Sequence, residues 1–205
     1  MKRVGLLGGA FNPPHEGHLK LARLALDHLN LDELRFVPTA LSPHKPDPGG
    51  PDVPSRLRLL TEALKGFEGK CRVEIIEAER GGTSYTVDTL ESLSGREPDT
   101  VWILIMGSDQ LQGLPSWRQV QRIFELASAA VALRPGAPFQ VPLVSGLHPA
   151  SAWSGKPGEL VALPATELDL ASTDLRERLR ATPLEDPSGV PPQVLGTIRS
   201  ENLYR

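Results

Sequence analysis

Two hydrophobic periods alternate along this chain, and their order outlines its architecture. Residues 2–7 form a short apolar run that reads as a first, buried strand. The spacing then changes: Ala22, Ala25, Leu26 and Leu29 fall at i, i+3, i+4 and i+7, the stripe of an amphipathic helix. Residues 33–38 predict a second strand. A helix follows from about Ser55, which reads as its N-cap, with Leu57, Leu60 and Leu64 on one face and Gly66 at its end. Residues 71–76 predict a third strand, and Thr86 can cap a helix running to Gly95. Val101-Trp102-Ile103-Leu104-Ile105-Met106 is continuously apolar, as expected of a parallel strand covered on both faces. Val120, Ile123, Phe124 and Ala127 mark another helix face, and strands are expected at 129–133 and 159–163. A helix then begins with Ser172 or Thr173 as N-cap. The last helix is short, about 192–200, and Leu203 and Tyr204 should tuck back onto the core.

Strands alternating with helices in this way imply an α/β fold with a doubly wound parallel sheet and a small C-terminal helical part. At 205 residues the chain fits one domain, residues 1–205, with residues 137–158 as an irregular surface excursion rich in Pro, Gly and Ser. Ligands of such sheets bind at the C-terminal ends of the strands, near the point where strand order reverses. The loops at 8–17, 39–53, 79–85, 107–117 and 134–136 all leave those ends, so they should line one crevice.

Composition narrows the function. A formal charge of −3 and a pI near 6.0 argue against a general nucleic-acid binder, which is usually basic. A bound phosphate must then be held by local dipoles and a few cations. Cys71 is the one cysteine, so no internal disulfide can form. It begins an apolar run and reads as a small core residue. No apolar run approaches membrane-spanning length, so a cytoplasmic protein without membrane attachment is expected.

The densest chemistry lies between the first strand and the first helix, in Gly8-Gly9-Ala10-Phe11-Asn12-Pro13-Pro14-His15-Glu16-Gly17-His18. Glycines let the backbone bend and allow a ligand close approach. Gly17 leads into a helix whose first N–H groups lack intrahelical partners, a ready anion site. His15 and His18 stand at its rim. The pair reads either as helix-start histidines satisfied by backbone or as phosphate-facing imidazoles. A zinc site would need further ligands at sensible spacing, and none is apparent, so no metal-ligating set is assigned. The dinucleotide fingerprint G-x-G-x-x-G and the P-loop ending are both absent.

Other residues carry paired readings. Ser172-Thr173-x-x-Arg176 offers hydroxyls and N–H groups at a helix start with a guanidinium one turn on; the plainer reading is a cap and a surface arginine. Asp109, after Gly107 and Ser108, can cap a helix or face a ribose. Trp117, after Leu114-Pro115-Ser116, can pack in the core or offer a flat stacking platform. Lys45 is a loop charge unless its loop folds inward, and Tyr85 and Thr86 can simply pack and cap.

Taken together, Gly-Gly-x-Phe-Asn-Pro-Pro-His-x-Gly-His, Pro43-His44-Lys45, Ser84-Tyr85-Thr86, Gly107-Ser108-Asp109 with Leu114-Pro115-x-Trp117, Arg134-Pro135-Gly136 and Ser172-Thr173-Asp174-Leu175-Arg176 resemble bacterial nicotinate-nucleotide adenylyltransferases. The first and last strings are shared by the wider nucleotidyltransferase superfamily, whose second signature usually has serine where Ala171 stands. The resemblance covers nearly the whole chain apart from 137–158. It implies a Rossmann-like nucleotidyltransferase fold and adenylyl transfer from ATP to nicotinate mononucleotide, giving deamido-NAD and pyrophosphate. It further implies His18 on the α-phosphate in the transition state, His15 on phosphates nearby, and Arg176 with Ser172 and Thr173 on the leaving pyrophosphate. Gly8, Gly9, Ala10, Phe11, Gly107, Asp109 and Arg134 complete the implied ATP site. Lys45, Tyr85, Thr86, Asp109, Trp117 and Arg118 form the implied nicotinate-nucleotide site, Trp117 stacking on the pyridine ring. Arg118 stands where the family often has tyrosine. Magnesium is expected to arrive on the ATP phosphates. The alternatives are a related transferase using nicotinamide mononucleotide or phosphopantetheine, and a nucleotide sensor without turnover.

Overall fold

Parallel strands in the order β3-β2-β1-β4-β5-β7-β6 frame the computed structural model. It describes residues 1–43, 49–67, 69–133, 139–164, 170, 172–181 and 188–205. The first half runs β1 (Lys2–Gly9), α1 (Glu16–Leu29), β2 (Glu33–Pro38), α2 (Val53–Ala63), β3 (Cys71–Val73), α3 (Ile76–Arg80) and α4 (Thr86–Arg96). The second half runs β4 (Thr100–Gly107), α5 (Ser108–Gly113), α6 (Val120–Leu126), β5 (Ala127–Ala132), β6 (His148–Pro149), β7 (Glu159–Leu163), α7 (Ser172–Ala181) and α8 (Pro192–Ser200).

Side chains alternate across each strand, so one sheet feeds two cores. Leu7, Ile103 and Ile105 face α1, α2, α7 and α8, whose buried residues include Ala22, Leu59, Leu175 and Val194. Leu6, Trp102, Leu104 and Met106 face the opposite layer, with Val87, Leu90, Ile123 and Phe124 from α4 and α6. The sheet grows outward from β1 through β2 to β3, then returns to β4 on the other side of β1. The reversal between β1 and β4 opens the crevice expected of a doubly wound sheet. Tyr204 is buried in the first core and Leu203 packs against it, as expected.

Local departures from the sequence reading have tertiary causes. The third strand ends at Val73, and Ile76 opens α3 because its side chain is buried in the second core. Glu79 and Arg80, expected in a loop, therefore lie in a helix. Asp52, not Ser55, caps α2: its carboxylate accepts from the Ser55 N–H at 2.9 Å, and Pro54 occupies the first turn, where a missing N–H costs nothing. Thr86 is the first residue of α4, with extended Tyr85 at the cap position. Helix α7 begins at Ser172, so Ser172 and Thr173, both expected as cap candidates, are its first helical residues. Within the expected excursion, the described residues 139–158 are irregular except for one short strand. His148 and Pro149 pair with Glu159 and Leu160 as an edge strand. Trp153 packs against the first core, with the Arg3 guanidinium 4.3 Å over its ring.

At the opposite end of β2 from the crevice, a charged network holds the sheet. Arg35 is 1% exposed. Its Nε donates to Glu33 at 2.6 Å, and its two terminal nitrogens grip both Glu97 oxygens at 2.7 Å. Glu74 lies 3.3 Å away, and the guanidinium stands 5.1 Å from the Trp102 ring centre. Burial alone would raise the Glu33 pKa, but hydrogen bonds from Lys2 and Arg35 prevail and hold it at about 2. Arg35→Met removes the buried partner of three carboxylates, leaving them Lys2 and the half-exposed Arg72, and should cost about 3 kcal/mol in urea unfolding at neutral pH. Glu33 gives stability that is present above its unfolded pKa and lost as pH falls toward about 2, so the gap between variant and wild type should narrow in acid. A loss below about 1 kcal/mol at neutral pH would equate the network with ordinary surface pairs.

Candidate active site

The chain leaves β1 at Gly9 and turns sharply through Phe11, whose φ is 46°. The Phe11 ring is buried, 5.5 Å from the Phe36 ring and edge-on to His18 at 4.9 Å. Gly8 and Ala10 are exposed beside it, leaving open backbone at the strand end. Gly17 is required by space: a Cβ there would stand 2.9 Å from Nδ1 of His15.

His15 occupies the N-cap of α1 and His18 its first turn. The His15 backbone N–H donates to Nδ1 of His18 at 3.2 Å, and the two rings stack with centroids 3.7 Å apart. A Nδ1 that accepts leaves the imidazole proton on Nε2, so His18 keeps one N–H donor. His15 is buried, and its Nδ1 has no partner among the described residues. Burial lowers the His15 pKa to about 4. Burial and then the neighbouring His15 push His18 well below its usual value. Both are neutral bases in the free protein.

The second signature meets the first through one arginine. Arg176 is buried, donating from one terminal nitrogen to the Asn12 carbonyl at 3.0 Å and from the other to Oγ1 of Thr173 at 3.0 Å. The start of α7, with exposed Thr173 and half-exposed Ser172, thereby sits against the His15–His18 loop. Gly189 adds a further tie, its carbonyl accepting from the Glu16 N–H at 2.8 Å.

Across the crevice, the segments after β2 and before α4 are joined. The Ala40 N–H donates to Oγ of Ser84 at 3.0 Å, and the Ser84 N–H to the Leu41 carbonyl at 2.9 Å. This joint delivers half-buried Tyr85 and Thr86. Arg118 lies 4.7 Å over the Tyr85 ring and 3.8 Å from the Asp88 carboxylate, so it joins this group instead of pointing away from it. Trp117 is half-buried, packed against the second core with part of the indole still exposed. Asp109 is exposed at the start of α5, its carboxylate folded back over Gly107, where a Cβ would meet Oδ1 at 2.7 Å. Lys45 and Arg134 lie outside the described residues.

Three residues escaped the sequence reading. Arg56, buried on α2, donates to the Ala10 carbonyl at 2.6 Å and the Thr39 carbonyl at 2.9 Å. Asn12 is buried, and its side-chain N–H reaches the Gly49 carbonyl at 3.1 Å. Tyr204 was expected in the core but not beside the site, yet a Cβ on Gly50 would touch both its ring and the Asn12 amide. A buried asparagine between Phe and Pro was the one local hint.

A parallel sheet whose switch point carries stacked neutral histidines, an exposed glycine turn and an arginine-bearing helix start is the apparatus of a nucleotidyltransferase. Residues 6–178 match the cytidylyltransferase-like family model. Over 205 residues the chain is 37% identical to a nicotinate-nucleotide adenylyltransferase of Bordetella petrii, covering 100% of both chains. It is 34% identical to one from Gloeobacter violaceus, covering 99% of this chain and 96% of that one. A Plasmodium falciparum nicotinic acid mononucleotide adenylyltransferase, solved with NaAD, superposes with a TM-score of 0.74 at 17% identity, covering 100% of this chain and 98% of that one. The chain belongs to the cytidylyltransferase-like family and, within it, to the nicotinate-nucleotide adenylyltransferases.

The neutral histidines predict an acid-side loss of stability. Unfolding returns them to values near 6.5, so the unfolded chain binds more protons than the native one. Their contribution is complete above about pH 6.5 and declines as pH falls through about 4. His15→Gln should lessen the slope of unfolding free energy against pH across that window, measured by urea melts. An unchanged slope would assign the effect to other groups.

Proposed function

We propose that the crevice above β1 and β4 binds ATP beside nicotinate mononucleotide and transfers the adenylyl group between them, giving deamido-NAD and pyrophosphate in NAD biosynthesis. The observation that carries this reading is the Arg176–Asn12 contact. It sets a guanidinium and a helix start against the histidine loop, so donors for the distal phosphates and for the α-phosphate belong to one crevice. A phosphate oxygen of the mononucleotide attacks the α-phosphorus in line. The bond to the bridging oxygen breaks as the new one forms, and pyrophosphate departs with the electron pair. No protein nucleophile is required, so catalysis rests on position and on donors aimed at developing charge.

In this reading Nε2–H of His18 serves the α-phosphate, and His15 holds the stacked ring in place beside the phosphates. Ser172, Thr173 and Arg176 take the leaving pyrophosphate; the described bonds of Arg176 use two of its five donors. Gly8, Gly9, Ala10 and Phe11 supply open backbone for the nucleotide, with Gly107 and Asp109 toward the ribose and Arg134 completing the ATP side. Trp117 stacks on the pyridine ring, while Tyr85, Thr86 and Lys45 serve the acceptor. Magnesium would ride on the triphosphate, neutralising part of its charge. Among the described residues no group of His, Cys, Asp and Glu converges on a metal, so no side chain is assigned to the ion.

Pyrophosphate release with ATP and a panel of acceptors tests the reading. Nicotinate mononucleotide should outperform its amide and phosphopantetheine. Turnover confined to another acceptor, or none at all, would refute it. His18→Ala should lower kcat by about 10²-fold or more with a modest change in KM. A variant altered in KM alone would mean a ground-state role.

Acid and amide have the same shape, so selectivity needs groups that read the carboxylate. Arg118, poised over Tyr85 next to Thr86, can supply a charge-assisted contact. Arg118→Ala should shift the ratio of kcat/KM for acid over amide by about tenfold toward the amide. An unchanged ratio would leave selectivity to backbone donors.

A further inference from the structure

We propose that Arg56 is a positioning residue that couples the two substrate sides of the crevice, holding the loop after β1 and the loop after β2 with one guanidinium. The assignment of those loops to ATP and to the acceptor rests on the function proposed above. Arg56 lies in the first turn of α2, a position that usually faces water, yet it is 7% exposed. One terminal nitrogen donates to the Ala10 carbonyl at 2.6 Å. The other donates to the Thr39 carbonyl at 2.9 Å, with the Ala40 carbonyl at 3.5 Å.

Those carbonyls lie just past the point where the β1–β2 ladder ends. The ladder reaches Gly9 opposite Pro38, and its last rung is the Thr39 N–H on the Gly9 carbonyl at 2.9 Å. Beyond it the two segments diverge. One continues through Phe11 to His15 and His18; the other runs through Ala40 and Leu41 to the joint with Ser84, next to Tyr85 and Thr86. Carbonyls there have no further strand to bond, and the buried Arg56 guanidinium supplies their donors. A planar guanidinium spans two acceptors a strand apart; a lysine ammonium, a single point of charge, cannot hold both in the same way. Arg58, one turn-face away, instead pairs with Glu201 at 2.7 Å on the outer surface. Arg56 therefore fixes the separation between the histidine loop and the Tyr85–Thr86 segment, the separation that in-line attack depends on.

Hydrogen exchange on the substrate-free protein and steady-state kinetics together test this, using Arg56→Ala, Arg56→Lys and the control Arg58→Ala. Exchange at residues 10–12 and at residues 39–41 should rise together, about tenfold, in Arg56→Ala and less in Arg56→Lys. With ATP and nicotinate mononucleotide, Arg56→Ala should lose about 10²-fold in kcat while equilibrium ATP binding changes less than about threefold. Arg56→Lys should recover part of the loss, and Arg58→Ala should match the wild type. Faster exchange in only one loop, or in neither, overturns the coupling. So does a lowered melting temperature with unchanged kcat per folded molecule, which would make Arg56 a stabilising residue alone. If Arg56→Ala does not fold, Arg56→Lys decides on the same two readouts. A wild type inactive with nicotinate mononucleotide would instead refute the proposed reaction, and the exchange data would still decide whether Arg56 holds both loops.

Discussion

Backbone carbonyls that leave the C-terminal edge of a parallel sheet have no next rung to bond, and in this chain two buried guanidinium groups take them. Arg56 takes the carbonyls of Ala10 and Thr39, and Arg176 takes that of Asn12. Ala10 and Asn12 flank Phe11, the residue of positive φ that turns the chain toward the histidines. The loop is thus held by donors that arrive from α2 and α7, elements far away in sequence. A loop positioned by packed helices loses little order when a ligand arrives, which is the condition under which precise placement can contribute to rate.

The histidines illustrate the same economy of partners. His18 accepts from the His15 backbone through Nδ1, and this one bond leaves its remaining proton on Nε2. Burial, and after it the neighbouring His15, keep a positive charge on His18 unfavourable in the free site. On the function proposed above, the site would offer a phosphate a dipolar donor held by this bond. Gly17 is part of this arrangement, since any Cβ would enter the space of the His15 ring.

Much of this was legible because its signals are local. The apolar run from Val101 to Met106 could hardly be other than a central strand, and β2, β7 and α8 fall where the pattern set them. The histidine loop and the Ser172–Arg176 string were readable as chemistry, though not that a single hydrogen bond joins them. What was missed depends on contacts between distant segments. Arg56, in a helix with leucines on its other faces, looks like an ordinary surface charge until the carbonyls of residues 10 and 39 are in place around it. Arg35 sits inside an apolar strand, and its burial makes sense only once Glu74 and Glu97 arrive. The two-residue strand β6 has no periodicity to read, and Ile76 continues an apolar run that tertiary packing divides between a strand and a helix.

The two sets of arginines also divide the electrostatic labour. Arg35 is hydrogen-bonded to carboxylates, so its charge is spent within the fold, at the end of the sheet remote from the crevice. Arg176 is hydrogen-bonded, among the described residues, to a carbonyl and a hydroxyl. Neutral oxygens orient a guanidinium without cancelling its charge, so attraction for a polyanion survives. The chain carries a net charge of −3, and a triphosphate gains nothing from its overall field. In the proposed reaction, local cations anchored by dipoles resolve that conflict: they would attract phosphate inside the crevice, while carboxylates elsewhere keep the whole molecule anionic.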